Sequence, residues 1–180
     1  MERNLAHIAL FAALIAALGL IPKFTLAFGV PITAQSMGVM LCGTILGAKR
    51  GALAVLLFLA LVALGLPLLA GGRGGLGAFA TPSVGFLIGW PIAAFVTGWI
   101  VERWNAPILP VATSAAIIGG VFTMYVFGIL GMAYMLDKTI PAATMLSLSF
   151  IPGDLVKAIA TGLITAALAR TRPASILSRG

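Results

Sequence analysis

Acidic side chains are nearly absent from this sequence: Glu2, Glu102, Asp137 and Asp154 are the only four in 180 residues, against eleven lysines and arginines. Charged residues make up 8% of the chain, about a third of the share that covers a soluble domain, so water is excluded as the solvent for most of the fold. A single cysteine, Cys42, excludes an intrachain disulfide and a cysteine-rich metal site, and leaves the redox compartment open. The single histidine, His7, has neither a cysteine nor a second histidine near it in sequence and reads as an interfacial residue. A Walker A sequence, H-E-x-x-H and G-x-S-x-G are all missing, so ATP hydrolysis, zinc proteolysis and serine-hydrolase chemistry lack the residues that carry them. No catalytic residue, metal or resident cofactor is expected. The net charge of +7 suggests nucleic acid at first sight, but the basic residues are scattered at the ends of apolar runs, without the clustered footprint such a partner requires; no nucleic-acid partner is expected.

Apolar side chains are what the chain has in abundance, at 61% of residues with a mean hydropathy of +1.17. Apolar runs cover residues 5–21, 32–48, 52–69, 84–101, 107–136 and 145–169, each of a length suited to about 30 Å of hydrocarbon. The first is read as a retained span, since no A-x-A-like cleavage site with a soluble domain behind it follows. The polar breaks between runs are short, so the pattern predicts an all-α integral membrane protein: one transmembrane domain over residues 1–180, a bundle of six transmembrane helices.

Alternating spans put Arg3, Lys49, Arg50, Arg103, Arg170, Arg172 and Arg179 on one side and only Lys23, Arg73 and Lys138 on the other. Basic residues accumulate on the cytoplasmic side of a membrane, so both termini are expected there. The two longest irregular stretches, 24–35 and 67–83, then share the outer face. Pro67, Pro82 and the glycines from Gly71 to Gly77 prevent a regular helix in the second. It is read either as a glycine-rich extracellular loop capping a ligand pocket or as a flexible loop; the alternation of Leu76, Phe79 and Val84 favours the ordered cap.

Three features point to chemistry. Pro152-Gly153-Asp154-Leu155-Val156-Lys157 sets an acid and a base three positions apart within an apolar span, on one face of a helix. Charges in hydrocarbon are costly enough, at least about 2.5 kcal/mol each, to turn the pair toward the bundle interior, as a ligand site or as a structural ion pair. Thr33 and Gln35 bring a hydroxyl and an amide to the mouth of the second span, as ligand contacts or as capping groups. Ala9, Ala13 and Ala17 form a small-residue stripe on the first helix, suited to close approach of a partner helix or to packing within the bundle. Trp90, Trp99, Trp104, Tyr125 and Tyr134 are read mostly as interfacial anchors, with stacking on a flat ligand as the other use.

The motifs Gly29-Val30-Pro31-Ile32-Thr33 with Gln35, Gly65-Leu66-Pro67 with the following glycines, Pro82 with Gly85-Phe86-Leu87-Ile88-Gly89, and Phe150-Ile151-Pro152-Gly153-Asp154 with Lys157 occur in this order. Together they resemble the biotin-specific S component of energy-coupling-factor transporters, the BioY family. Phe86 stands where that family often has tyrosine, and Thr81-Pro82 where it often has glycine and proline. The resemblance implies a pocket open to the outside for biotin, a transported ligand and not a cofactor, and docking through the first helix onto a transmembrane coupling subunit driven by ATPase subunits. It also implies that Asp154 and Lys157 bind the vitamin. Arg73, on the outer loop, is either a partner for the biotin carboxylate or a solvated loop charge. The competing readings are an S component for another vitamin, a small intramembrane enzyme, and a structural subunit or channel.

Overall fold

Six helical spans account for most of the described residues; the structure, a computed structural model, describes residues 2–25 and 31–179. The first span is α1 (Glu2–Leu18), and the second is α2 (Gln35–Leu41) widened at its end by a π turn, Cys42–Leu46. The third and fourth are α3 (Ala48–Ala63) and α4 (Val84–Arg103). In the fifth, α5 (Ile108–Ile117) continues through a π turn, Ile118–Thr123, into α6 (Met124–Met135). In the sixth, α7 (Ile140–Ser147) continues through a 3-10 turn, Leu148–Phe150, into α8 (Ile151–Thr171).

Three of these spans, Val84–Arg103, Ile108–Met135 and Ile140–Thr171, are long and apolar enough to cross a bilayer, and the chain is a multi-pass membrane protein. The second is short: Gln35–Leu46 rises only about 18 Å at 1.5 Å per residue. Phe24–Thr25 (β1) and Pro31–Ile32 (β2) pair antiparallel just before α2, with Phe24 opposite Ile32, a small element that the apolar pattern does not reveal. Gly29 and Val30 lie outside the described residues.

The third span departs most from its expected bounds. It begins at Ala48 instead of residue 52, and ends at Ala63 instead of residue 69. Lys49 and Arg50 sit inside its first turn, because both are good helix formers whose long stems lie along apolar surface while the charge reaches out. Gly65, at φ +106°, then turns the chain out of the helix. The last span starts earlier than expected, where Thr139 Oγ1 accepts from Ala142 N at 3.4 Å and Pro141 occupies the first turn.

α4 lies at the centre, packed against α2, α3, α5, α6 and both π turns. It meets α6 where a Cβ on Gly131 would stand 2.6 Å from Gly85 N, backbone against backbone. Gly131→Val therefore has no flexible neighbour to displace. Overpacking of this kind costs about 1–3 kcal/mol, and the thermal midpoint of the purified variant in detergent is expected to fall accordingly.

The loop over residues 64–83 is ordered by a tight hairpin. Leu69 and Arg73 exchange backbone hydrogen bonds of 3.0 and 3.2 Å around Gly71 and Gly72, both at positive φ. Its anchors are Leu69, Ala70 and Ala78, all buried, with Phe79 partly buried. Leu76, in the 3-10 turn Leu76–Phe79, is 74% exposed. At the opposite end, the chain after α8 folds back. Ser178 Oγ donates to Thr44 O at 2.6 Å and Arg50 Nη2 to Leu177 O at 2.9 Å.

Candidate ligand-binding site

Pro152 lies in the first turn of α8 and so does Asp154. Lys157 follows one turn later and its Nζ donates to Asp154 Oδ1 at 2.9 Å. Two other spans complete the group. From α2, Ser36 Oγ donates to Asp154 Oδ1 at 3.4 Å and accepts from Lys157 Nζ at 3.1 Å. From α6, Tyr125 OH donates to Asp154 Oδ2 at 2.7 Å. Asp154 is 5% exposed, so its charge is balanced almost wholly by these three neighbours.

The inventory of this group has a chemical meaning. A carboxylate offers about four acceptor positions and an ammonium three donors. Three acceptor positions on Asp154 and two donors on Lys157 are taken within the group. One acceptor position on Asp154 and one donor on Lys157 are left over within an ion pair. Such a surface suits a neutral group that carries both an N–H and a carbonyl.

The pair forms one wall of a cleft that is open at its mouth, with about 560 Å³ of space when the open mouth is counted. Apolar walls come from Phe86, Leu87, Trp90, Met124 and Phe150. Phe86 holds both Tyr125 and Phe150 edge to face, with centroids 5.8 and 5.9 Å away, which fixes the aromatic wall. Ile32, Leu69 and Arg73 come from the two loops, so both loops contribute to the cleft.

The residues singled out in the sequence take different places. Thr33 is partly buried on the cleft, and its Oγ1 accepts from Gln35 N at 3.3 Å. Gln35 also lines the cleft, but its amide is committed to backbone. Nε2 donates to Ile15 O at 3.1 Å and Leu68 O at 3.0 Å, while Oε1 accepts from Ala70 N at 2.9 Å. The side chain thus ties α1, α2 and the glycine-rich loop together, and both amide protons are unavailable to a ligand. Arg73 is partly buried, which lowers its pKa through desolvation, yet a guanidinium stays charged. Its Nε reaches Ala70 O at 3.4 Å, and its terminal nitrogens make no hydrogen bond among the described residues. Ala9, Ala13 and Ala17 are exposed on α1, whereas Ala12 faces the core.

Ser36 and Tyr125 were not singled out as site residues. Trp90 and Tyr125 line or support the cleft, whereas Trp99, Trp104 and Tyr134 are exposed. Ser36 was discoverable as the neighbour of Gln35. Tyr125 was not, because no spacing connects residue 125 to residue 154; the one local sign is Gly119-Gly120 in the π turn before it, an insertion often found near functional sites.

The fold and the cleft define a multi-pass helical membrane protein with a cleft of mixed polar and apolar lining opening at one end of the bundle. The chain belongs to the BioY family, whose model matches residues 2–174. It is similar to the biotin transporter BioY of Rhodobacter capsulatus, 56% identical over 190 residues and all of both chains. The biotin transporter BioY of Rhizobium etli is 50% identical over 169 residues, 90% of each chain. Among solved structures, an S-component for biotin from an ECF-type ABC transporter superposes with a TM-score of 0.90 at 31% identity, covering 97% of this chain and 96% of the other.

Proposed function

We propose that this chain captures biotin at the outer face of a bacterial inner membrane and delivers it inward, as the substrate-binding subunit of an energy-coupling-factor transporter. Membership of the BioY family and the names of its relatives support the biotin reading. The observation that carries it into this chain's own geometry is that the ion pair lining the cleft keeps one acceptor position on Asp154 and one donor on Lys157 uncommitted. A cyclic urea presents an N–H to the first and a carbonyl to the second. The thioether ring lies against Phe86, Trp90, Met124 and Phe150, and the valerate carboxylate meets Arg73 in a charge-assisted contact. Lys157 is already neutralised by Asp154, which favours Arg73 over Lys157 for the carboxylate. Thr33 contacts the ligand at the mouth, and Gln35 acts by holding the loop in place.

Isothermal titration calorimetry of the purified full chain in detergent tests this directly: saturable biotin binding is expected, and none by a correctly folded protein rejects it. Tyr125→Phe keeps the ring against Phe86 and removes only the hydroxyl that orients Asp154. An interaction with a charged acceptor is worth about 1.5–3 kcal/mol, so biotin affinity is expected to fall at least about tenfold in the same titration.

Transport driven by ATP would draw on partner subunits, because this sequence carries no nucleotide-binding motif. The ECF-type relationship supports a transmembrane coupling subunit and ATPase subunits. The exposed small-residue stripe Ala9, Ala13 and Ala17 is the docking surface of this reading, with both termini cytoplasmic as the distribution of lysine and arginine favours. Ala13→Trp is expected to reduce biotin uptake by the assembled complex to near background while leaving calorimetric binding to the isolated chain unchanged. Uptake at the parent rate removes the stripe from the interface.

A further inference from the structure

A second cleft, of about 480 Å³, opens at the end of the bundle that carries both termini, between the start of α1, the start of α3 and the end of α4. Lys49, Arg50 and Arg103 line it, with Glu102 as the one carboxylate. Glu102 Oε1 accepts from Ala48 N at 2.8 Å, and Arg50 is tied to Leu46 O, Leu177 O and Asn4 Oδ1. Lys49 is exposed and makes no hydrogen bond among the described residues. Three cations and one anion leave the lining at a net charge of +2, next to the positive start of α3.

An apolar stripe runs out of this cleft along α4. Phe95 and Trp99 are 41% and 44% exposed one turn apart, and Ile92 and Ile88 continue the exposed face. Arg103 follows on the next turn, its guanidinium carbon 4.6 Å from the centre of the Trp99 ring. A positive pocket is thus joined to an aromatic surface at the level where tryptophan favours the headgroups and to an aliphatic surface at hydrocarbon depth. In a membrane-embedded chain this face meets lipid, and basic pockets beside transmembrane helices select anionic headgroups.

We propose that this cleft binds an anionic phospholipid, with its phosphate held by Lys49 and Arg103 and an acyl chain along Trp99, Phe95 and Ile92. Neither basic residue belongs to the biotin site. Native mass spectrometry of the full chain, with phosphatidylglycerol or phosphatidylcholine added to the micelles, tests the assignment. Removing a cation near an anionic surface costs about fivefold in affinity, so Lys49→Gln/Arg103→Gln is expected to weaken phosphatidylglycerol binding about 25-fold while phosphatidylcholine changes less than about twofold. Arg170→Gln/Arg172→Gln, a charge-matched change elsewhere on the same end, is expected to leave phosphatidylglycerol binding near the parent value. Biotin affinity and thermal midpoint, unchanged in both, verify folding. Equal losses in the two double variants reduce the effect to overall charge and overturn the site. Displacement of phosphatidylglycerol by inorganic phosphate alone makes it a free-anion site. Unchanged lipid binding with lost assembly onto the coupling subunit makes the face a protein contact.

Discussion

Asp154→Asn is expected to abolish measurable biotin capture, lowering affinity by at least about 100-fold. The substitution keeps the shape of the side chain but leaves Lys157, whose side chain is 17% exposed, as an uncompensated cation. It also converts an acceptor-only group into one that donates toward Ser36 or Tyr125. Charge-assisted hydrogen bonds are worth about 1.5–3 kcal/mol each, and breaking one partner of a buried pair costs about 3–5 kcal/mol. The thermal midpoint of the unliganded protein is therefore expected to fall together with affinity. Lys157→Met alone behaves similarly, since it strands the carboxylate. Asp154→Asn/Lys157→Met removes both charges, and is expected to regain most of the stability while binding stays lost. Calorimetry and thermal unfolding on the four members of this cycle separate the two effects. Recovery of affinity in the double variant would make the pair a structural element only.

Gln35→Ala gives the second large effect, and on a different quantity. Its amide satisfies Ile15 O, Leu68 O and Ala70 N at 3.1, 3.0 and 2.9 Å, in a place where Gln35 itself is 1% exposed. Each unsatisfied buried group costs about 1–3 kcal/mol, so the unliganded protein is expected to lose about 3 kcal/mol of stability. The loop then loses its tie to α1 and α2, and biotin affinity is expected to fall as the mouth loosens. Gln35→Glu should be worse, because a carboxylate faces two carbonyl oxygens that previously accepted hydrogen bonds. Thermal unfolding without ligand is the deciding measurement. An unchanged midpoint with weakened binding would return Gln35 to direct ligand contact.

The membrane-spanning character of the chain was readable because it depends on composition and run length, and the fifth apolar run, expected at 107–136, is a continuous span at Ile108–Met135. Its ends were less legible where charge and helix propensity disagree, as at Lys49 and Arg50, which polar breaks placed outside a helix that in fact contains them. The glycine-rich loop was recognisable as irregular, but which of its residues anchor it was not legible, because a 3-10 turn sets Leu76 outside and Ala78 inside.

Asp154 and Lys157 share a face by helical spacing alone, and an acid beside a base in an apolar run could be recognised from the sequence without any neighbour in view. The sequence by itself therefore determined a multi-pass helical protein and one polar pair that must turn inward. Tertiary structure decided what surrounds that pair. Ser36, 118 positions away in the chain, and Tyr125, 29 positions away, reach Asp154 only because α2 and α6 pack beside α8. It also decided that the amide protons of Gln35 go to backbone groups from two other segments. Period and composition act over a few residues, through propensity and burial in lipid. Hydrogen-bond satisfaction in a buried cleft is settled between segments distant in sequence, and only the packed helices bring those donors and acceptors within reach.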